Sequence, residues 1–284
     1  MHAILEYGFL QSALLAGLLA SIGCGVMGTY VVVKRISYMA GGISHSVLGG
    51  MGAALFFGFA PMKGALVAAI TAALLIGWIK LRWRAQEDTL IGAMWAMGMS
   101  IGILFISRTP GYATDLVSYL FGNILLVSRE QIGHMAALDL LVTGMVLAFY
   151  RQFLAVSFDE EFARLRGVPV NFFYLLFLCL VALTVVLLVQ VVGLVLVIAL
   201  LTLPAAIAGH YIHTMGRMMI AASLLGMVFT TAGIMLSYYL DVPAGAVIIL
   251  IAGGSYLASA VFSQWWQQGK ARRSLARMFH PGTR

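Results

Sequence analysis

Charge is scarce in this chain. Lysine, arginine, aspartate and glutamate make up 10% of its 284 residues, against about 25% in an ordinary soluble domain. That shortage excludes a soluble globular enzyme, and a hydrophobic content of 62% excludes disorder. Cysteine is scarcer still. Cys24 and Cys179 both lie inside apolar runs, so they read as small core residues and not as a disulfide framework. No GxxxxGK[ST] stretch occurs, so the chain cannot hydrolyse ATP in the P-loop manner. No nucleophile–base constellation stands out either. A signal peptide is not expected, because the first apolar run is too long, lacks a basic start and closes on Lys34-Arg35.

What the chain has is apolar length. A membrane-crossing helix takes ~20 mostly apolar residues. Breaks at Ala60-Pro61-Met62-Lys63, Pro110-Gly111 and Asp241-Val242-Pro243 are the clearest turns. The runs between breaks predict nine spans, at 8–33, 44–61, 63–82, 90–107, 131–150, 171–190, 193–212, 218–239 and 244–266. The piece 113–127 is apolar but short, and is expected as a re-entrant or interfacial helix. The fold class is therefore an all-α polytopic transmembrane bundle, in one domain over residues 1–284.

The basic residues orient it. With the N-terminus outside, 14 of the 17 lysines and arginines fall on inner segments and 3 (Lys63, Arg108 and Arg129) on outer ones. The positive-inside rule then favours an outer N-terminus and a cytoplasmic C-terminus, with a basic cytoplasmic tail at 267–284. Such a chain is a multi-pass protein of the plasma membrane.

Glycine is abundant, and most of the 31 glycines read as places where helices approach closely. The cluster Gly41, Gly42, Gly49, Gly50 and Gly52 is dense enough to weaken the second span at its start, as in the broken helices that line transport pathways. The sixteen methionines are scattered and read as flexible packing, not as a copper(I) site.

The longest polar island runs from Ser157 to Val170, with a coupling segment at 158–170. Residues 159–166 predict a short cytoplasmic helix. Asp159, Glu160 and Glu161 begin it and Arg164 and Arg166 end it, which suits the helix dipole. Gly167 stops it and Pro169 prevents continuation. Phe158, Phe162 and Leu165 give one apolar face that could dock on a partner.

FDEEFARLRGVPV in that island resembles the cytoplasmic coupling segment of ATP-binding-cassette permeases that import divalent metals. Other stretches resemble the same family: Val33–Met39 running into Ile43-Ser44-His45-Ser46-Val47-Leu48-Gly49-Gly50, Asp115–Asn123, Val192–Ala206 with Leu203-Pro204-Ala205-Ala206 at its end, and Asp241–Ala246. Together they span nearly the whole chain. The resemblance implies the membrane subunit of an importer carrying zinc first, and manganese or iron next, as its transported substrate. It implies two copies of this chain, a cytoplasmic ATPase dimer docked on Phe158, Asp159, Glu160, Glu161, Phe162, Arg164 and Gly167, and an extracytoplasmic metal-binding protein. No permanently bound cofactor is expected. Permeases for chelates such as siderophores or cobalamin, and ion-coupled secondary transporters, are the alternatives.

The chain departs from that family in three places. Many members have an acidic residue four positions before the motif histidine, where this chain has Gly41. Zinc-uptake members often have aspartate at Asn123. Basic residues often follow the Pro-Ala-Ala stretch, where Gly209-His210-Tyr211-Ile212-His213 stands here.

Six residues are candidate metal contacts. His45 is an imidazole within a span, and such residues are functional by default. Asp139 is the one acid deep in a span and should face the bundle interior. His134, five residues earlier, lies about 140° round the helix from it, so the two do not share a face. Asp115 could line the outer mouth or cap a turn. His210 and His213 are an i, i+3 pair expected on one helical face at the inner end of the seventh span.

Overall fold

The computed structural model describes residues 8–82, 87–109, 122 and 124–279. Among them the chain is helical, with no strand. The helices run in order as α1 (Gly8–Val33), α2 (Ser37–Phe56), α3 (Pro61–Arg82), α4 (Glu87–Arg108), α5 (Arg129–Ala148), α6 (Tyr150–Phe158), α7 (Glu160–Leu165), α8 (Val170–Val192), α9 (Leu194–Tyr211), α10 (Met215–Leu240) and α11 (Ala244–Phe279). A single 3-10 turn stands at Ile124–Leu126. This is the expected polytopic helical bundle.

Among the described residues all the helices but α6 and α7 are long enough to cross a bilayer, and 8 are also apolar enough. The helix left out is α2. Its sequence is loaded with glycine and serine, and 13 of its 20 residues are buried. A helix walled in by protein needs no lipid-facing hydrophobic surface. It packs chiefly on α4 and α3.

The second span differs from the expected 44–61. It starts at Ser37 and runs unbroken through all five glycines. Each of them is a point of close approach. A side chain at Gly49 would meet the carbonyl of Gly98, one at Gly50 the backbone of Gly64, and one at Gly52 the backbone of Gly102. The packing gained against α3 and α4 outweighs the cost of helical glycine, about 1 kcal/mol each. The expected broken helix is thus a packing helix.

Two sharp connections organise the ends. After α1, Arg35 adopts a left-handed backbone, φ 56°. Ile36 N–H then bonds to Val31 O at 3.0 Å and Arg35 N–H to Val32 O at 3.1 Å, a Schellman closure that reverses the chain into α2. Between α8 and α9 only Gly193 intervenes, at φ 81° and ψ 161°. Gly122, itself at φ 66°, lies against the Val192–Gly193 backbone and leaves no room for a side chain.

Only Gly122 and residues 124–127 of the expected re-entrant piece 113–127 are described. Asp115 and Asn123 lie outside the described residues. At the other end α11 continues as helix to Phe279, so much of the expected tail at 267–284 extends the last span.

Candidate functional site

His45 sits in the seam between α2 and α4, 6% exposed. Its imidazole lies flat on the indole of Trp95, with ring centroids 4.1 Å apart and planes 15° apart. Its Nδ1 is buried and finds no hydrogen-bond partner among the described residues, and the same is true of the neighbouring Ser44 Oγ. Leaving such an atom unpaired costs about 1–3 kcal/mol, so its presence calls for a role. Nearby, Ser46 Oγ spends its proton on Gly42 O at 2.8 Å. Gly98 brings α4 against the backbone of His45 and Ser46. An open groove of about 330 Å³ runs alongside, lined by residues that include Ser46, Gly49, Gly50, Met94 and Gly98.

Asp139 lies in a different seam. It is 5% exposed, and its Oδ1 fills the space that a side chain at Gly23 would need. Its Oδ2 has no hydrogen-bond partner among the described residues, nor has Thr143 Oγ1 one turn further along α5. Thr184 of α8 borders the same space. The elements around Asp139 are therefore α1, α5 and α8, and those around His45 are α2 and α4. His134 is exposed at the start of α5 while Asp139 is buried, in keeping with their separate faces.

The histidine pair at the end of α9 differs from expectation. The helix stops at Tyr211, and Ile212 is extended at φ −124° and ψ 127°. His210 and His213 therefore do not share a helical face. His210 Nδ1 hydrogen-bonds Ser259 Oγ at 2.9 Å, and its ring stacks on Tyr256 at 5.8 Å. His213 is exposed beyond the helix. Among the described residues no three His, Cys, Asp or Glu side chains gather as a metal cluster.

The polar island at 158–170 folds close to expectation. Asp159 is extended and caps α7, its Oδ1 accepting from Phe162 N–H at 2.9 Å. At the far end Val168 N–H bonds to Ala163 O and Gly167 N–H to Arg164 O, both at 3.0 Å. Gly167 takes φ 75°, which completes a Schellman motif. The break at Asp159 separates Phe158 on α6 from Phe162 and Leu165 on α7, so the three do not form one continuous helical stripe. All three still point outward, at 64%, 48% and 88% exposure, while Ala163 is buried against the bundle. The Arg166 guanidinium covers the Phe162 ring at 5.0 Å, and Arg164 Nη2 donates to Asn171 Oδ1 at 3.5 Å.

Lys34 ties this segment to the α1–α2 turn. Its ammonium, on a side chain 8% exposed, stands 3.4 Å from Glu160 Oε1 and donates to Val156 O at 2.8 Å. Burial pushes it below the ordinary lysine range, and the Glu160 carboxylate pulls it part of the way back. It also lies 5.5 Å from the centroid of the Tyr174 ring. Lys80 of α3 approaches the same ring at 5.2 Å, and Tyr174 Oη donates to Met39 Sδ of α2 at 3.4 Å.

Sequence reasoning did not single out Trp95 or the Lys34 linkage. The first had a signal, since Trp95 is the one bulky residue in the row Gly92, Trp95, Gly98 and Gly102 of the fourth span. The second had none, because Lys34 and Glu160 are 126 residues apart.

Helices of this length, with ionisable side chains turned inward, place the chain among polytopic membrane proteins. The model of the ABC 3 transport family matches residues 6–263, and the chain belongs to that family. It is a transport subunit and not an enzyme. An uncharacterized membrane protein of Synechocystis is 46% identical over 262 residues, covering 92% of this chain and 93% of that one. A manganese transport system membrane protein of Halalkalibacterium halodurans is 33% identical over 280 residues, with 96% of each chain covered. Among solved structures, PsaBC from Streptococcus pneumoniae in complex with Fab superposes with a TM-score of 0.83 at 32% identity, covering 91% of this chain and 93% of that one. The family expected from the coupling island and its companion stretches is thus the one found.

Proposed function

We propose that this chain is the membrane-spanning permease subunit of an ATP-driven importer of divalent transition-metal ions, zinc first and manganese or iron next. His45 carries the reading. It is a buried imidazole with a nitrogen that no group among the described residues satisfies, placed in a long helix most of whose residues are buried. Imidazole binds first-row divalent ions well, and a single strong ligand holds an ion loosely enough to release it. The manganese transport relative supports the metal class. Two copies of the chain form the path, and an extracytoplasmic binding protein delivers the ion. The ATPase docks on the outward face of Phe158, Phe162 and Leu165. Asp139 adds a second polar station within each protomer, while Asp115, His134, His210 and His213 are secondary candidates along the route.

The test is uptake of labelled metal in cells that lack their own importers and co-express this chain with its ATPase and binding protein. Uptake should require the ATPase, and His45→Ala should lower it at least about tenfold, the loss of 1.4 kcal/mol of binding. Uptake that persists without the ATPase would overturn the coupled import.

A further inference from the structure

The Trp95 indole occupies more than the face of His45. One helical turn before the histidine, at Gly41, a Cβ would stand 3.2 Å from Trp95 Cζ3. Tyr38, a further turn back, meets the other part of the indole at 5.9 Å, and its hydroxyl lies over Gly92. Positions 38, 41 and 45 share one face of α2. Tyr38, Trp95 and His45 thus form an aromatic column over that face. It places no carboxylate beside the imidazole, and at position 41 it leaves no slack for one.

This has a chemical consequence. A metal ion binds the imidazole lone pair in the plane of the ring, so an indole stacked on the ring face does not block it. The indole fixes the angle of the ring and lays its electron-rich face on a group that turns positive when it takes a cation. Carboxylate and other oxygen ligands suit magnesium, calcium and manganese, whereas imidazole suits zinc, iron, nickel and copper. We infer that Trp95 is a specificity-determining residue of the His45 site: it fixes the imidazole as the ligand, closes position 41 of α2 to a carboxylate and so favours zinc over manganese. This rests on the importer reading above.

Two measurements separate the two ideas. The first compares zinc and manganese uptake by the full chain with its ATPase. Trp95→Phe keeps a stacking face and should keep the zinc preference. Trp95→Ala should shrink the preference about tenfold, equivalent to 1.4 kcal/mol. Gly41→Asp with Trp95→Ala should move it further toward manganese, and Gly41→Asp alone should transport poorly, because the indole stands in its way. An unchanged zinc-to-manganese ratio in Trp95→Ala, with both ions carried at the wild-type rate, would overturn the inference.

The second follows Trp95 emission in the purified chain with Trp78, Trp83, Trp265 and Trp266 replaced by phenylalanine. Zinc chloride should change that emission at lower concentration than manganese chloride, and His45→Ala should abolish the response. An emission that ignores zinc, or responds to it equally without His45, counts against the assignment. If the wild-type chain carries neither metal, the importer reading fails and this titration alone judges Trp95.

Discussion

Lys34 Nζ donates to the carbonyl of Val156 across 2.8 Å, joining the turn between α1 and α2 to the last turn of α6. The same ammonium is 3.4 Å from Glu160, the first residue of α7. One side chain therefore links the elbow between α6 and α7 to the turn that leads into the helix holding His45. The two contacts differ in weight. Val156 is buried, so Lys34→Ala strands its carbonyl, and losing a hydrogen bond to a charged group costs about 1.5–3 kcal/mol. Glu160 is about half exposed, so Glu160→Gln should cost under about 1 kcal/mol. Thermal unfolding of both variants in detergent measures this. Equal losses would make the ion pair, and not the carbonyl contact, the working link.

The elbow itself should be sensitive at its two ends. Asp159→Ala removes the cap on Phe162 N–H and should cost about 1 kcal/mol. Gly167→Ala forces a side chain into φ 75°, a strain of roughly 1–2 kcal/mol. Both variants should insert normally, yet stimulate the ATPase less in the reconstituted complex. Glu161→Lys and Arg164→Glu, at exposed positions of α7, should act the same way while costing at most about 1 kcal/mol of stability. Full stimulation in all four would mean that the ATPase docks elsewhere.

The ease with which each part could be read from sequence follows its physics. Long apolar runs, Gly167 and the acid-to-base order of residues 159–166 act locally, so the spans and the coupling helix were legible. The extent of α2 was not, because its glycines look like helix breakers until Gly98, Gly102 and Gly64 are known to face them. The His210–His213 spacing misled because the helix ends at Tyr211. His45 was legible as an imidazole in a span, but its companion was not. Trp95 lies on another helix, and no periodicity within α2 points to it.

Asp139 and Gly23 form a second pair whose fit can be tested. The carboxylate fills the space beside Gly23, so Gly23→Ala overpacks the seam and should destabilise by about 1–3 kcal/mol. Asp139→Asn keeps the shape and should keep the fold. An amide is a weaker ligand than a carboxylate, so metal uptake should fall several-fold at equal expression. If Asp139→Asn transports normally while Gly23→Ala unfolds, Asp139 is a packing residue.

The bundle has a basic end. Lys34 and Lys80 meet there on the Tyr174 ring, and Arg164 and Arg166 of the elbow lie there too, through the contact of Lys34 with Val156 and Glu160. Arg217, in the first turn of α10, belongs to the same end, since α8, α9 and α10 follow one another as successive crossings. Lys63, Arg108 and Arg129 stand at the opposite helix ends. Cytoplasmic loops carry the excess of positive charge, so the end with Lys34 should be cytoplasmic. With nine long helices among the described residues, α2 included, the two termini should lie on opposite sides. A reporter fused after Arg284 should read as cytoplasmic, and one inserted at Gly58, in the turn between α2 and α3, should read as extracytoplasmic. The reverse pattern would turn the bundle over and place the coupling elbow out of reach of any cytoplasmic ATPase.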